Sequence, residues 1–213
     1  MYISRVEIDR TNRRKIHNLV HVGAYHAWVE ESFPNEFKQS IRTRKLWRVD
    51  RIKDKDYLII VSKGKPDLQQ LEKYGVKGTA QTKDYQRFLD GIHIGSRMRF
   101  RVVLNPVVSI ASPENTKRGV VKPHVTSEHQ MNYLLERSEK NGFLLVRKDC
   151  SIVERSYEVF KKSVKPIRLI KVVYEGTLTV RDVKLFKKLL IEGIGKKKAY
   201  GFGLMTVIPL GDD

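Results

Sequence analysis

The sequence predicts an α+β fold made of two tandem split β-α-β units, on three observations. Apolar residues switch between a period of two and a period of about 3.6, and the order of switches runs strand, helix, strand, strand, helix, strand, then restarts. Pro, Gly and charged clusters punctuate the switches. The chain has 213 residues, which fits two compact units better than one large one. With 40% hydrophobic against 31% charged residues, each half can bury a core.

In the first half, residues 2 to 9 alternate as a strand. From Asn12 to Glu31 the residues Ile16, Leu19, Val20, Gly23, Ala24 and Ala27 recur at helical spacing, and Phe33-Pro34-Asn35 ends that helix. Strands from Lys45 to Arg51 and from Tyr57 to Ser62 flank the charged turn Lys53-Asp54-Lys55-Asp56. A short helix from Asp67 to Lys73 and a strand from Lys77 to Tyr85 complete the first unit, residues 1–90.

After a linker around Asp90 to Ser96, the second unit spans residues 97–213. It opens with a strand from Arg97 to Val108, whose Met98, Phe100, Val102 and Leu104 share one face. A basic loop from Asn115 to Lys122 leads to a helix from Thr126 to Glu139, terminated by Asn141-Gly142. Strands follow over residues 143–148, 152–160 and 167–180, then a helix over 183–191, a glycine-rich turn and a last strand over 204–208. This order is that of a ferredoxin-like, RRM-like βαββαβ module, so the expected architecture is two tandem ferredoxin-like domains.

The formal charge is +18, from 42 Lys and Arg against 24 Asp and Glu, more than solubility requires, and it points to a polyanion. A membrane-surface protein would concentrate its charge on one amphipathic helix. Here the positives recur in every segment, including Arg97, Arg99 and Arg101 within a strand, which favours nucleic acid. The single cysteine, Cys150, excludes an internal disulfide and a thiolate zinc site. No signal peptide or bilayer-spanning run is present. A cytoplasmic protein without metal or cofactor is the expectation.

Two segments carry candidate chemistry. Between Gly193 and Gly203 lie Gly193, Gly195, Gly201 and Gly203 with Lys196, Lys197 and Lys198. The segment follows a helix and precedes a strand, so it is neither a dinucleotide fingerprint nor a nucleotide-hydrolase phosphate loop. Glycines would let the backbone approach a phosphodiester that the lysines neutralise; a solvated turn accounts for the pattern equally well. In the first helix, a 3.6-residue period gathers His17, His21, Tyr25 and Trp28 on one side, away from the apolar stripe. Imidazole titrates near neutrality, so such a ridge can move protons at a ribose 2′-hydroxyl or a 5′-oxygen.

The opening Met1 to Val6, the segment Arg97 to Pro106, Tyr174 to Val180, and the ending Glu192 to Gly195 through Gly201 to Pro209 together resemble the CasE family, the CRISPR RNA-processing endoribonucleases of the type I-E interference complex. The resemblance covers nearly the whole chain in order. It implies tandem ferredoxin-like domains that bind a CRISPR repeat hairpin RNA and cut at its 3′ base without metal, leaving a 2′,3′-cyclic phosphate and a 5′-hydroxyl. It also implies partnership with the other subunits of that complex.

The family's catalytic histidine lies in the first helix, and His21 matches that place best; His26 and His17 are the competitors. Some relatives carry a tyrosine three residues before it, where this sequence has Asn18. Tyr25, one turn after His21, is the candidate for a second catalytic hydroxyl. A basic stretch that the family carries between two C-terminal strands falls on Lys161, Lys162 and Lys165, assigned to the hairpin together with Lys196, Lys197 and Lys198. Lys117 and Arg118, near Lys122, form a further basic patch. The competing reading is a non-catalytic RNA-binding subunit, which would bind the hairpin and leave it uncut.

Overall fold

The computed structural model describes residues 1–112, 115–160 and 166–211, and the side chains of 112 and 115–118 fall outside the description. The first half contains β1 (Tyr2–Glu7), α1 (Arg13–Ile16), α2 (Val22–Glu31), α3 (Pro34–Lys38), β2 (Lys45–Ile52), β3 (Lys55–Ser62), α4 (Leu68–Leu71), β4 (Gln81–Asp84) and α5 (Gln86–Asp90). The second contains β5 (Arg97–Leu104), β6 (Val107–Ser112), β7 (Asn115–Pro123), α6 (Ser127–Ser138), β8 (Phe143–Leu144), β9 (Cys150–Phe160), β10 (Ile167–Val180), α7 (Val183–Glu192) and β11 (Met205–Pro209). No helix among the described residues is long and apolar enough to cross a membrane.

All pairings are antiparallel, in two main sheets with strand orders β2-β3-β1-β4 and β11-β5-β10-β8; β9 pairs along the free edge of β10, and β6 and β7 form a separate hairpin. Numbered within its own half, each sheet has the order fourth, first, third, second, the split β-α-β arrangement expected for both. Alternation sets the register: on β5 the even-numbered Met98, Phe100 and Val102 are buried, while Arg97 and Arg99 face outward.

Four elements differ markedly from the sequence expectation. The helix expected from Asn12 to Glu31 is two helices, broken over residues 17–21. The Asn12 side chain accepts from the Lys15 N–H to start α1, and His21 has extended backbone (φ −155°, ψ 160°) to start α2, so two caps replace one continuous ladder. His17 and His21 therefore do not share a helical face. Nor does Trp28 belong to a polar ridge: it is fully buried, and its indole N–H donates to the Leu71 carbonyl at 3.1 Å.

The strand expected from Arg97 to Val108 stops at Leu104, because Pro106 cannot donate to the ladder. The chain turns there into the β6–β7 hairpin, so the segment from Asn115 to Lys122 is strand rather than loop. The strand expected over 143–148 ends at Leu144, before a single 3-10 turn over Arg147–Asp149.

The two sheets share their interior. One buried cluster joins Phe100, Leu134, Tyr174 and Phe186 of the second half to Leu46, Val61 and Leu89 of the first. The other joins Val6, Trp28 and Leu58 to Val103, Val173 and Phe202. Between them lies Arg48 on β2, only 2% exposed. Its guanidinium donates to Asp50 on the same strand (Nε to Oδ1, 2.7 Å), then crosses to the second sheet, donating to the Arg101 carbonyl at 2.9 Å, the Leu204 carbonyl at 2.8 Å and Thr206 Oγ1 at 2.8 Å. Asp50 also accepts from Arg101 Nε at 3.3 Å.

A second buried cation, Lys45, has a side chain 1% exposed and reaches Glu36 at 2.7 Å and Glu30 at 3.3 Å. Partial burial works against ionisation of Glu36, but hydrogen bonds from Lys45 and Thr43 outweigh it and hold its carboxyl below the usual range.

Two consequences are measurable. Asp50→Asn leaves the buried Arg48 charge without its carboxylate and should cost about 3–5 kcal/mol in chemical denaturation. Because the folded Glu36 carboxyl is depressed, the stability it contributes is present above the ordinary carboxylate range and is lost as pH falls through the folded value. Thermal unfolding across the acid range should therefore be steeper with pH for wild type than for Glu36→Gln.

Candidate active site

His21, Tyr25, Arg10, Lys171, Glu154 and Glu158 meet around a cavity of about 390 Å³. The start of α2 forms one wall, β2 and the segment Tyr200–Phe202 another, and the β9–β10 pair the third. The site is thus assembled from both halves of the chain.

His21 is held by its own helix. As the residue that caps α2, it accepts the Ala24 N–H on Nδ1 at 3.3 Å. In the neutral ring the proton then sits on Nε2, which becomes a hydrogen-bond donor. Serine, threonine, aspartate and asparagine are the usual caps; a histidine in that place caps and offers a second nitrogen at once.

Tyr25, one turn further, stacks on Trp47 at 5.8 Å between centroids and 16° between planes. Trp47 is in turn fixed by its N–H to the Ala199 carbonyl, 3.1 Å. Burial pushes the Tyr25 phenol above the usual range, and the positive charge of the Arg10 guanidinium pulls back only in part. Tyr25 is thus a protonated donor at neutral pH. Arg10 is itself held by Asp56 at 2.8 Å.

Lys171 supplies the cation on the opposite wall. It lies across from Ser156 in the β9–β10 register, so the carboxylates two residues to either side, Glu154 and Glu158, are its diagonal neighbours. Their distances to Nζ are 3.2 and 3.4 Å. Burial opposes ionisation of Glu154, but Ser156 and Lys171 overcome it and hold the carboxyl below its ordinary value.

Of the expected site residues, the fold brings His21 and Tyr25 into one cavity. The lysines of the glycine-rich segment stand just before its wall: Lys196 and Lys197 are exposed and Lys198 is half-buried, while Tyr200, Gly201 and Phe202 line the cavity. The glycines serve close packing on β2. Gly193 (φ +75°) and Gly201 (φ +83°) adopt left-handed backbone, and a Cβ there would lie 2.7 Å from Leu46 Cδ2 and 3.0 Å from Trp47 Cζ3 respectively.

Lys161, Lys162 and Lys165 lie outside the described residues, as do the side chains of Lys117 and Arg118, whose backbone belongs to β7. His26 does not line the cavity; it sits 3.4 Å from Arg42 Nη2 and 4.0 Å from Glu30. His17 is exposed, with Nδ1 2.9 Å from the Arg14 carbonyl.

Arg10, Lys171, Glu154 and Glu158 escaped the sequence reading. Lys171 carries the one usable signal: it interrupts the apolar run Leu169-Ile170-Lys171-Val172-Val173, where a buried strand would keep its charge only for a purpose. The larger hollow, about 860 Å³ between the sheet faces, is lined by Arg5, Lys83, Arg99 and Tyr57 among others and by no histidine among the described residues. Its size alone does not single it out, because His21 and Tyr25 meet in the smaller cavity.

The model of a family described as CRISPR associated protein matches residues 1–209. The chain belongs to this family. Two curated members resemble it over their whole length: the CRISPR-associated endoribonuclease Cse3 of Thermus thermophilus, 24% identical with 98% of this chain and 100% of the relative covered, and the CRISPR system Cascade subunit CasE of Escherichia coli, 26% identical with 99% and 100% covered. The resemblance to CasE drawn from the ordered sequence segments is thereby borne out. The same fold occurs in Thermus thermophilus Cse3 bound to an RNA representing a pre-cleavage complex, with a TM-score of 0.81, 22% identity and 98% of both chains covered.

Removing the cation tests the geometry of this family member's site. Lys171→Met should raise the Glu154 carboxyl out of its depressed range, because its cationic partner is gone while its burial remains; side-chain carboxyl shifts followed by NMR through an acid titration would show it.

Proposed function

We propose that this protein is an endoribonuclease that binds the repeat hairpin of CRISPR precursor RNA and cuts at the 3′ base of the stem through the ribose 2′-hydroxyl, without a metal ion, to give mature crRNA. It works in the cytoplasm with the other subunits of a type I-E interference complex, its two units being residues 1–90 and 97–213. The observation that carries this reading is His21 at the mouth of α2, with Nδ1 engaged by Ala24 and Nε2 without a hydrogen-bond partner among the described residues, beside Tyr25 and across from Lys171. Family membership, the activity named for Cse3 and the assembly named for CasE support it. The charge of +18 supplies the phosphate affinity, and A-form stems are recognised through shape and backbone.

In the reaction the 2′-oxygen attacks the adjacent phosphorus, the P–O5′ bond breaks, and negative charge builds on the leaving oxygen and the equatorial oxygens. The capped His21 presents Nε2–H as a hydrogen bond to the developing 5′-oxygen; the proton lost by the 2′-hydroxyl passes through solvent water to that oxygen as the P–O5′ bond breaks, so the ring ends the step unchanged. Acting as a base at the same nitrogen would require its proton to move to Nδ1, at the expense of the bond from Ala24. Tyr25, its phenol pushed up by burial, keeps its own proton for a non-bridging oxygen. Lys171 offsets the charge of the pentacovalent phosphate. Products are a 2′,3′-cyclic phosphate and a 5′-hydroxyl.

The test is cleavage of a labelled repeat hairpin in excess EDTA. Wild type should cut; His21→Ala should lose about 10²–10⁴-fold in rate, Tyr25→Phe should be slowed with folding intact, and a 2′-deoxy substitution at the scissile nucleotide should abolish the cut while binding persists. Binding by wild type with no cut supports the non-catalytic RNA-binding subunit instead, and cleavage by His21→Ala moves the role to His26 or His17.

A further inference from the structure

Gly23 sits at the second position of α2, where a glycine is costly: it lowers helix stability by about 1 kcal/mol relative to alanine. Its backbone is helical rather than left-handed, so conformational freedom does not explain it. The space around it does. A Cβ at this position would lie 2.9 Å from His21 Nδ1, 3.0 Å from His21 Cε1 and 3.4 Å from Phe160 Cε2.

An aspartate or serine cap reaches the backbone N–H three residues on with a short side chain. The imidazole of His21 makes the same bond to Ala24 with a longer and flatter group, which lies across the volume a side chain at position 23 would fill. Phe160, buried and packed on Tyr200 at 4.2 Å between centroids, borders the same volume at contact distance.

We propose that Gly23 is a positioning residue for His21: by having no side chain it keeps free the volume in which the imidazole can cap α2 through Nδ1 and present Nε2 to the cavity. The proposal rests on the catalytic reading of His21. A carbon 2.9 Å from Nδ1 is too close to stay, whereas 3.4 Å from Phe160 is ordinary contact, so the imidazole, half-exposed and held by one bond of 3.3 Å, is the group that yields.

This predicts effects of opposite sign on stability and on rate, which a merely structural glycine would not give. In Gly23→Ala the thermal midpoint should stay level or rise, as expected for alanine in a helix, and affinity for the repeat hairpin should be unchanged. The single-turnover cleavage rate should fall roughly ten- to a hundredfold, the scale of an ångström-sized misplacement. In 15N-histidine spectra the His21 ring should lose its Nε2–H tautomer preference. Against a His21→Ala background, Gly23→Ala should change the residual rate little, because the two positions act as a unit.

A Gly23→Ala protein that cuts at the wild-type rate with an unmoved His21 ring overturns the proposal. So does a loss of folding that the double variant fails to relieve, since the space would then serve Phe160 and the core. If His21→Ala itself still cuts, the catalytic reading falls, while the ring signals of Gly23→Ala still report whether Gly23 holds the imidazole.

Discussion

Arg48 ties the molecule together. A guanidinium taken out of water is stable only if its donors are satisfied, and here they are met by Asp50 on its own strand and by two carbonyls and a hydroxyl of the opposite sheet. The pair is thus a geometric constraint as much as an energetic one: β2 can sit only where its arginine reaches Arg101, Leu204 and Thr206. Asp50 and Arg101 face the large hollow between the sheets, while Arg48 and Arg101 face the small cavity. The network is the wall between the two spaces.

Placement of β2 propagates to the chemistry. Trp47, the residue before Arg48, carries the stack for Tyr25 and donates to Ala199 in the glycine-rich segment. The left-handed Gly201 lets that segment close on the Trp47 ring. His21 and Tyr25 come from the first half, Lys171 and its two glutamates from the second. The first half supplies the imidazole, the phenol and the Arg10 guanidinium, and the second supplies the Lys171 ammonium between its two carboxylates, so the full set of groups forms only when the halves pack.

Much of the fold was legible because it is written in local periodicity. β10 was delimited residue for residue, and α6, α7 and β11 to within about a residue at each end. What escaped were places where one residue overrides the pattern around it: Asn12 and His21 cap separate helices inside an unbroken apolar period, and Pro106 ends a strand whose neighbours would continue it. The site was legible in part. His21 and Tyr25 are sequence neighbours in a recognisable segment, whereas Arg10, Lys171, Glu154 and Glu158 converge through strand register and long-range packing. The role of Gly23 depends on the rotamer of a neighbouring ring, which no pattern of residue types encodes.

The central claim is that the scissile phosphate is bound in the seam between the sheets with His21 as donor to the leaving oxygen. A crystal structure with a repeat hairpin carrying a 2′-deoxy nucleotide at the cut site tests it most directly. The account predicts the phosphate within the cavity lined by Tyr25 and Lys171, with His21 Nε2 within about 3 Å of the 5′-oxygen and Nδ1 still bonded to Ala24. A phosphate seated in the large hollow instead, or a His21 ring turned away from the 5′-oxygen, would contradict it.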